Sequence, residues 1–102
     1  MMRLLDHEPQ WWFLLEEGGS LFLDANCNHS FVGYDFLLEL SAEEHRAYEH
    51  EGREFISRLA TEIQDSAPII KGSTSRFKGR DMSRTHSDKV TKAVASWRAN
   101  TK

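Results

Sequence analysis

The stretch "WFLLEEGGSLFLDA", residues 12–25, decides how this chain folds. Two apolar runs flank Gly18-Gly19, and a glycine pair supplies the positive φ that two-residue hairpin turns require. With the turn there, Glu17 faces Ser20. Counting back sets Leu15 opposite Phe22, Leu14 opposite Leu23, Phe13 opposite Asp24 and Trp12 opposite Ala25. Directly opposed residues share a face of the sheet.

The next stretch, "NCNHSFVGYDFLLEL" (26–40), continues the pattern. Asn28-His29 reads as a second two-residue turn, because Asn tolerates positive φ. Ser30 then faces Cys27, Val32 faces Ala25, Tyr34 faces Leu23 and Phe36 faces Leu21. The two counts agree on the faces. One side collects Trp12, Leu14, Leu21, Leu23, Ala25, Val32, Tyr34, Phe36 and Leu38, with Cys27 toward it at a strand end. The other mixes rings and acids: Trp11, Phe13, Leu15, Phe22, Asp24, Asn26, Phe31, Asp35, Leu37 and Glu39. The expected strands are about 10–16, 20–27 and 30–40, in an antiparallel meander of order 1-2-3. Residues 1–9 read as a lead-in that ends at Pro9.

Ser41 opens "SAEE", a Ser-x-x-Glu capping box in which Ser41 and Glu44 satisfy each other's backbone N–H. The helix after it should run over about 42–66, with Tyr48, Phe55, Ile56, Leu59 and Ile63 as its apolar stripe and Pro68 closing it. Gly52 lies on that stripe, and its expected role is close approach of the helix to the sheet. Residues 67–86 read as a long basic loop, with a short strand at 69–71. A final helix over about 87–99 presents Val90, Ala93, Val94 and Trp97 at i, i+3, i+4 and i+7. The fold class is α+β: a three-stranded meander with two helices packed on its apolar face.

At 102 residues the chain is one domain by length, with an ordinary globular balance of 39% apolar and 28% charged residues. No apolar run approaches the roughly 18 residues of a membrane span. The N-terminus lacks an apolar signal core, so no membrane partner and no secretion are expected. A single cysteine forms no intramolecular disulfide and fits a reducing cytoplasm. The net charge of −3 hides a split, with residues 1–66 at −10 and residues 67–102 at +7. The split predicts that acidic and basic parts pack together; otherwise the basic part serves an anionic partner.

Candidate chemistry is sparse. Cys27 and His29 stand two apart, but nothing adjacent is cationic to lower a thiol pKa, and the turn aims His29 at solvent. A Cys-x-His pair is half of a closed zinc site. His45 and His50, five apart on a helix, diverge. The segment "KGSTSRFKGR" (71–80) lacks the G-x-x-x-x-G-K-[ST] spacing of a phosphate loop. No cofactor, metal or catalytic residue is expected.

Two function classes follow. The first is a small non-catalytic protein-binding module that masks or scaffolds a partner or self-associates as a homodimer. Its surface would be the second sheet face, Trp11, Phe13, Phe22, Asp24, Phe31 and Asp35, unless the last helix or the N-terminal arm covers that face, since two helices can flank a sheet. Aromatics dominate binding hot spots, and the carboxylates between them favour a basic partner. In size and acidity the chain resembles bacterial toxin-neutralising immunity proteins, an analogy of composition and not of motif. The second class is a nucleic-acid or phosphate-binding accessory protein using Lys71, Arg76, Lys78, Arg80 and Arg84 around Phe77. A sequence pI near 5.9 weighs against it.

Overall fold

The Gly18-Gly19 hairpin forms in the expected register, with Glu17 opposite Ser20, Leu15 opposite Phe22 and Trp12 opposite Ala25. Both glycines have positive φ, 58° and 87°, as the turn demands. The computed structural model describes residues 2–29, 32–66, 68 and 74–100. Among them are four strands, β1 (Arg3–Glu8), β2 (Trp12–Glu17), β3 (Ser20–His29) and β4 (Val32–Glu39). Three helices follow, α1 (Ala42–Glu51), α2 (Arg53–Ser66) and α3 (Ser83–Asn100). The strands form one antiparallel sheet in the order β1-β2-β3-β4. No helix of the described residues is long and apolar enough to cross a membrane.

The expected three-stranded meander thus gains a strand at its edge. The lead-in at residues 1–9 is β1, paired with β2 from Arg3↔Glu16 to Glu8↔Trp12. A register shift between Leu4 and Asp6 leaves Leu5 as a bulge, and Leu5 is 39% exposed. The bulge interrupts the two-residue alternation that would have marked a strand, and it turns the edge away from further pairing.

The β3–β4 register also differs. Ala25 pairs with Phe36 rather than Val32, four positions on, and the strands continue to His29↔Val32. His29 is therefore a strand residue and not a turn residue; residues 30–31 lie outside the described residues. An even shift keeps every side chain on its expected face, because strand periodicity is two. The faces survived a wrong turn for that reason.

The long helix is two helices. Gly52, at φ 68° and ψ −147°, ends α1, and its N–H donates to the Tyr48 carbonyl at 2.7 Å. No atom lies within 4 Å of where its Cβ would sit, so Gly52 serves a reversal of backbone hand and not close packing. The capping box is present as read: Glu44 N–H donates to Ser41 Oγ at 3.2 Å, and Ser41 N–H to Glu44 Oε1 at 2.8 Å.

The helices flank the sheet instead of sharing one face. α2 lays Ile56, Leu59, Ala60 and Ile63 on Trp12, Leu14, Leu23, Phe36 and Leu38. Each large aliphatic side chain so removed from water stabilises the fold by about 1.5–3 kcal/mol. The Trp12 indole N–H donates to Ser57 Oγ at 3.2 Å, fixing α2 over β2. On the other face α3 sets Val90 and Ala93 against Met2, Leu15, Phe22 and Leu37, with Leu4, Phe13 and Val94 partly buried beside them.

α3 begins at Ser83, earlier than the apolar stripe alone indicated. Asp81 is the cause. Its Oδ1 accepts from the Ser83 N–H at 3.0 Å and from the Leu37 N–H at 3.1 Å, tying the helix start to the β4 edge. Asp81 also bridges Leu38, and the Met82 N–H donates to the Leu37 carbonyl at 2.8 Å. Within the basic segment Phe77 is 1% exposed and joins the α2-side core. The strand expected at 69–71 lies outside the described residues.

Candidate functional site

The six residues of the expected partner face are not one surface. Phe22 is 4% exposed and stacks on His86 of α3 at 5.5 Å between ring centres. Phe13 is half-buried, with His7 stacked over it at 6.0 Å. Trp11 precedes β2 and packs against the opposite, α2-side core. Phe31 lies outside the described residues. Asp24 and Asp35 share the α3 side of the sheet with Phe22. α3 covers Phe22 and leaves a strip toward the β3–β4 hairpin, where Asn26 and Asp35 are a directly opposed, exposed pair.

Electrostatics single out this strip. Burial pushes the Asp24 carboxyl up to about 7, and the charges of Asp35 and Asp81 add to the rise. Among the described residues no Lys or Arg pairs with Asp24, Asp35 or Asp81; the ion pairs engage other carboxylates. Asp81 has hydrogen-bond donors from Leu37 and Ser83, and so its role is structural. Asp24 is mostly buried and sits near neutrality, an arrangement that clusters at functional sites.

The basic residues are largely spent inside the molecule. Arg80 donates to both oxygens of buried Glu44, at 2.8 and 3.1 Å, and to the Glu39 carbonyl at 3.0 Å. Arg76 pairs with Glu62 and lies over the Phe77 ring at 4.3 Å. Lys78 and Arg84 are exposed, and neither joins an ion pair among the described residues. Lys71 lies outside the described residues.

Cys27 is buried in the core and opposite Tyr34. Its thiol donates to the Ala25 carbonyl at 3.7 Å, and burial pushes it up to about 11, far from a thiolate at neutral pH. The Tyr34 hydroxyl, pushed up to about 12 by burial, finds no oxygen or nitrogen partner among the described residues and has the Cys27 sulfur as its polar neighbour. A mutual thiol–phenol contact at these pKa values holds both protons and offers no nucleophile. Among the described residues no three His, Cys, Asp or Glu side chains converge as metal ligands.

Sequence reasoning missed a cleft of about 590 Å³ between α3 and the β1 edge, with Met2, Leu4, Ala93 and Trp97 among its lining residues. Its wall is β1, which reads as a lead-in because the Leu5 bulge hides the strand. No protein-family model, no curated protein and no solved structure matches the chain.

Proposed function

We propose that this protein is a non-catalytic binding module whose partner is another protein, presenting a lysine or arginine to Asp24. The carrying observation is the placement of Asp24 and Asp35 on one sheet face, beside Phe13 and Asn26, with no Lys or Arg paired to either carboxylate among the described residues; burial pushes the Asp24 carboxyl up, and the charges of Asp35 and Asp81 add to the rise. A cationic side chain docked on the strip would supply the missing counter-charge, and Asn26 and the Phe13 ring would flank it. Such complementarity favours the correct partner and raises its on-rate more than it adds raw affinity. Two such strips carry like charge and repel, so the reading favours a different, basic partner over a homodimer formed through this face. A cytoplasmic location belongs to the same reading, supported by the single, buried cysteine.

The other reading, nucleic-acid or phosphate binding through residues 71–84, has less support. Arg76 and Arg80 are already engaged by Glu62 and Glu44. An anion would have to displace those carboxylates.

The experiment is affinity capture with charge reversal. A partner captured by the wild type should be lost with Asp35→Lys, an exposed change on the strip. It should be kept with Glu54→Lys, an exposed change on α2. Retention of the partner by Asp35→Lys would contradict the proposal.

A further inference from the structure

We infer that the cleft between α3 and β1 takes a single-tailed amphiphile with an anionic head group, a medium-chain carboxylate being the simplest case. This site shares no residue with the Asp24 strip and stands or falls independently of it.

The shape of the cleft fits an alkyl tail. α3 lines the cleft with Lys89, Ala93, Ser96 and Trp97, spaced along one side of the helix. Ala93 is small, so its side chain takes up little of the space in the cleft. Across the gap lie Met2 and Leu4. The Trp97 and His7 rings pack in an edge arrangement with their centres 4.6 Å apart, and the Lys89 ammonium meets Glu17 at 2.9 Å. From Lys89 to Trp97 is roughly 12 Å of helix axis at about 1.5 Å per residue. The volume of about 590 Å³ is that of a small-molecule pocket. An aliphatic chain laid against the apolar walls takes both its own surface and theirs out of water, which is favourable.

The charge of the rim fits an anionic head group. The rim carries Arg3, Lys89 and Lys92. Arg3 pairs with Glu16 at 3.0 Å and Lys89 with Glu17, and Lys92 joins no ion pair among the described residues. One cation is left in excess, which suits one negative charge. The two pairs are solvent-exposed, hence weak, and Arg3 can turn toward an incoming anion at little cost. A chain of net charge −3 would favour a cationic amphiphile if attraction were general, so a preference for an anion must come from the rim.

The test uses decanoate and decyltrimethylammonium, which share a tail length and differ in head charge, each titrated into the full chain below its micelle concentration. Amide and indole NMR shifts report the site. Decanoate should saturate shifts at Ala93 and Trp97 and bind at least about tenfold more tightly than the cation. Lys92→Glu should erase that preference. Ser96→Phe, an exposed change that fills the cleft, should block both while the thermal midpoint stays near that of the wild type. Non-saturating shifts scattered over the surface would overturn the site. Equal affinities for the two amphiphiles, or a preference unchanged in Lys92→Glu, would overturn the anionic head group. Undiminished binding by Ser96→Phe would place the tail elsewhere and likewise overturn the inference.

Discussion

Arg80 grips Glu44 through two hydrogen bonds, and the same carboxylate closes the capping box of α1 by accepting from the Ser41 N–H at 2.8 Å. The basic segment is thereby fastened to the first turn of the helix that ends the sheet. The charge split of the sequence, −10 against +7, is in this part an internal complement.

Arg80→Ala should therefore cost about 1–3 kcal/mol, because it leaves a buried carboxylate short of its donors. Burial alone would raise the Glu44 carboxyl, but the bonds from Arg80 and Ser41 outweigh it and hold the group below its ordinary 4.5. The resulting stabilisation is present above that value and disappears as pH falls through the lowered one. Denaturant unfolding followed downward from pH 7 should show the wild-type advantage over Arg80→Ala in full at neutral pH and shrinking once pH falls below the ordinary 4.5. A gap that stays constant over the whole range would argue that Arg80 acts through packing.

Asp24 has the opposite sign. Its folded value of about 7 lies above the ordinary 3.8, so the protonated form stabilises the fold. That contribution is full below about pH 4 and is lost as pH rises through about 7. Asp24→Asn keeps the shape without the charge. It should flatten the pH dependence between 4 and 7 and make the chain more stable than wild type at pH 8. Unfolding midpoints over this range decide the matter, and parallel curves for the two proteins would count against it.

Phe22 tests the covering of the second face. With its ring under His86, Phe22→Ala should lose about 3–5 kcal/mol, a core-sized penalty, whereas Asp35→Ala on the open strip should stay within about 0.5. A Phe22→Ala protein with an unchanged unfolding midpoint would mean that α3 does not seal this face.

Cys27 should behave as a buried spacer. Its native reaction with a thiol reagent should be slow and speed up only on unfolding, since both burial and a pKa near 11 withhold the thiolate. Cys27→Ala, which leaves a small cavity and takes away the polar neighbour of the Tyr34 hydroxyl, should destabilise by about 1–3 kcal/mol. Rapid stoichiometric labelling of the folded protein would contradict this placement.

The sheet was legible where one local signal dictated many pairings. Gly18-Gly19 fixed β2 against β3, and alternation then assigned Leu23 and Phe36 to one face and Phe22 and Leu37 to the other. The end of α1 was not legible, because a glycine on an apolar stripe reads equally as a contact point or a stop, and only the φ of Gly52 separates them. The start of α3 depends on Asp81 reaching the β4 edge, a tertiary contact with no local signature. β1 is disguised by its bulge, and the cleft it walls was disguised with it. For the candidate surface, alternation placed Asp24 and Asp35 together correctly. It left open whether the last helix would cover this face, and it gave no sign that the cover would take Phe22 and spare them, or that Trp11, lying just outside the strand, would turn to the opposite core.

The charge state of Asp24 is the most direct test of the binding reading. Carboxyl-carbon NMR of the free chain should give it a titration midpoint near 7. Repeated on the complex with a captured partner, the midpoint should fall to or below the ordinary carboxylate value, because a docked cation favours the charged form. A midpoint of about 4 in the free chain, or one that stays near 7 with the partner bound, would contradict the proposal that this carboxylate receives the partner's cation.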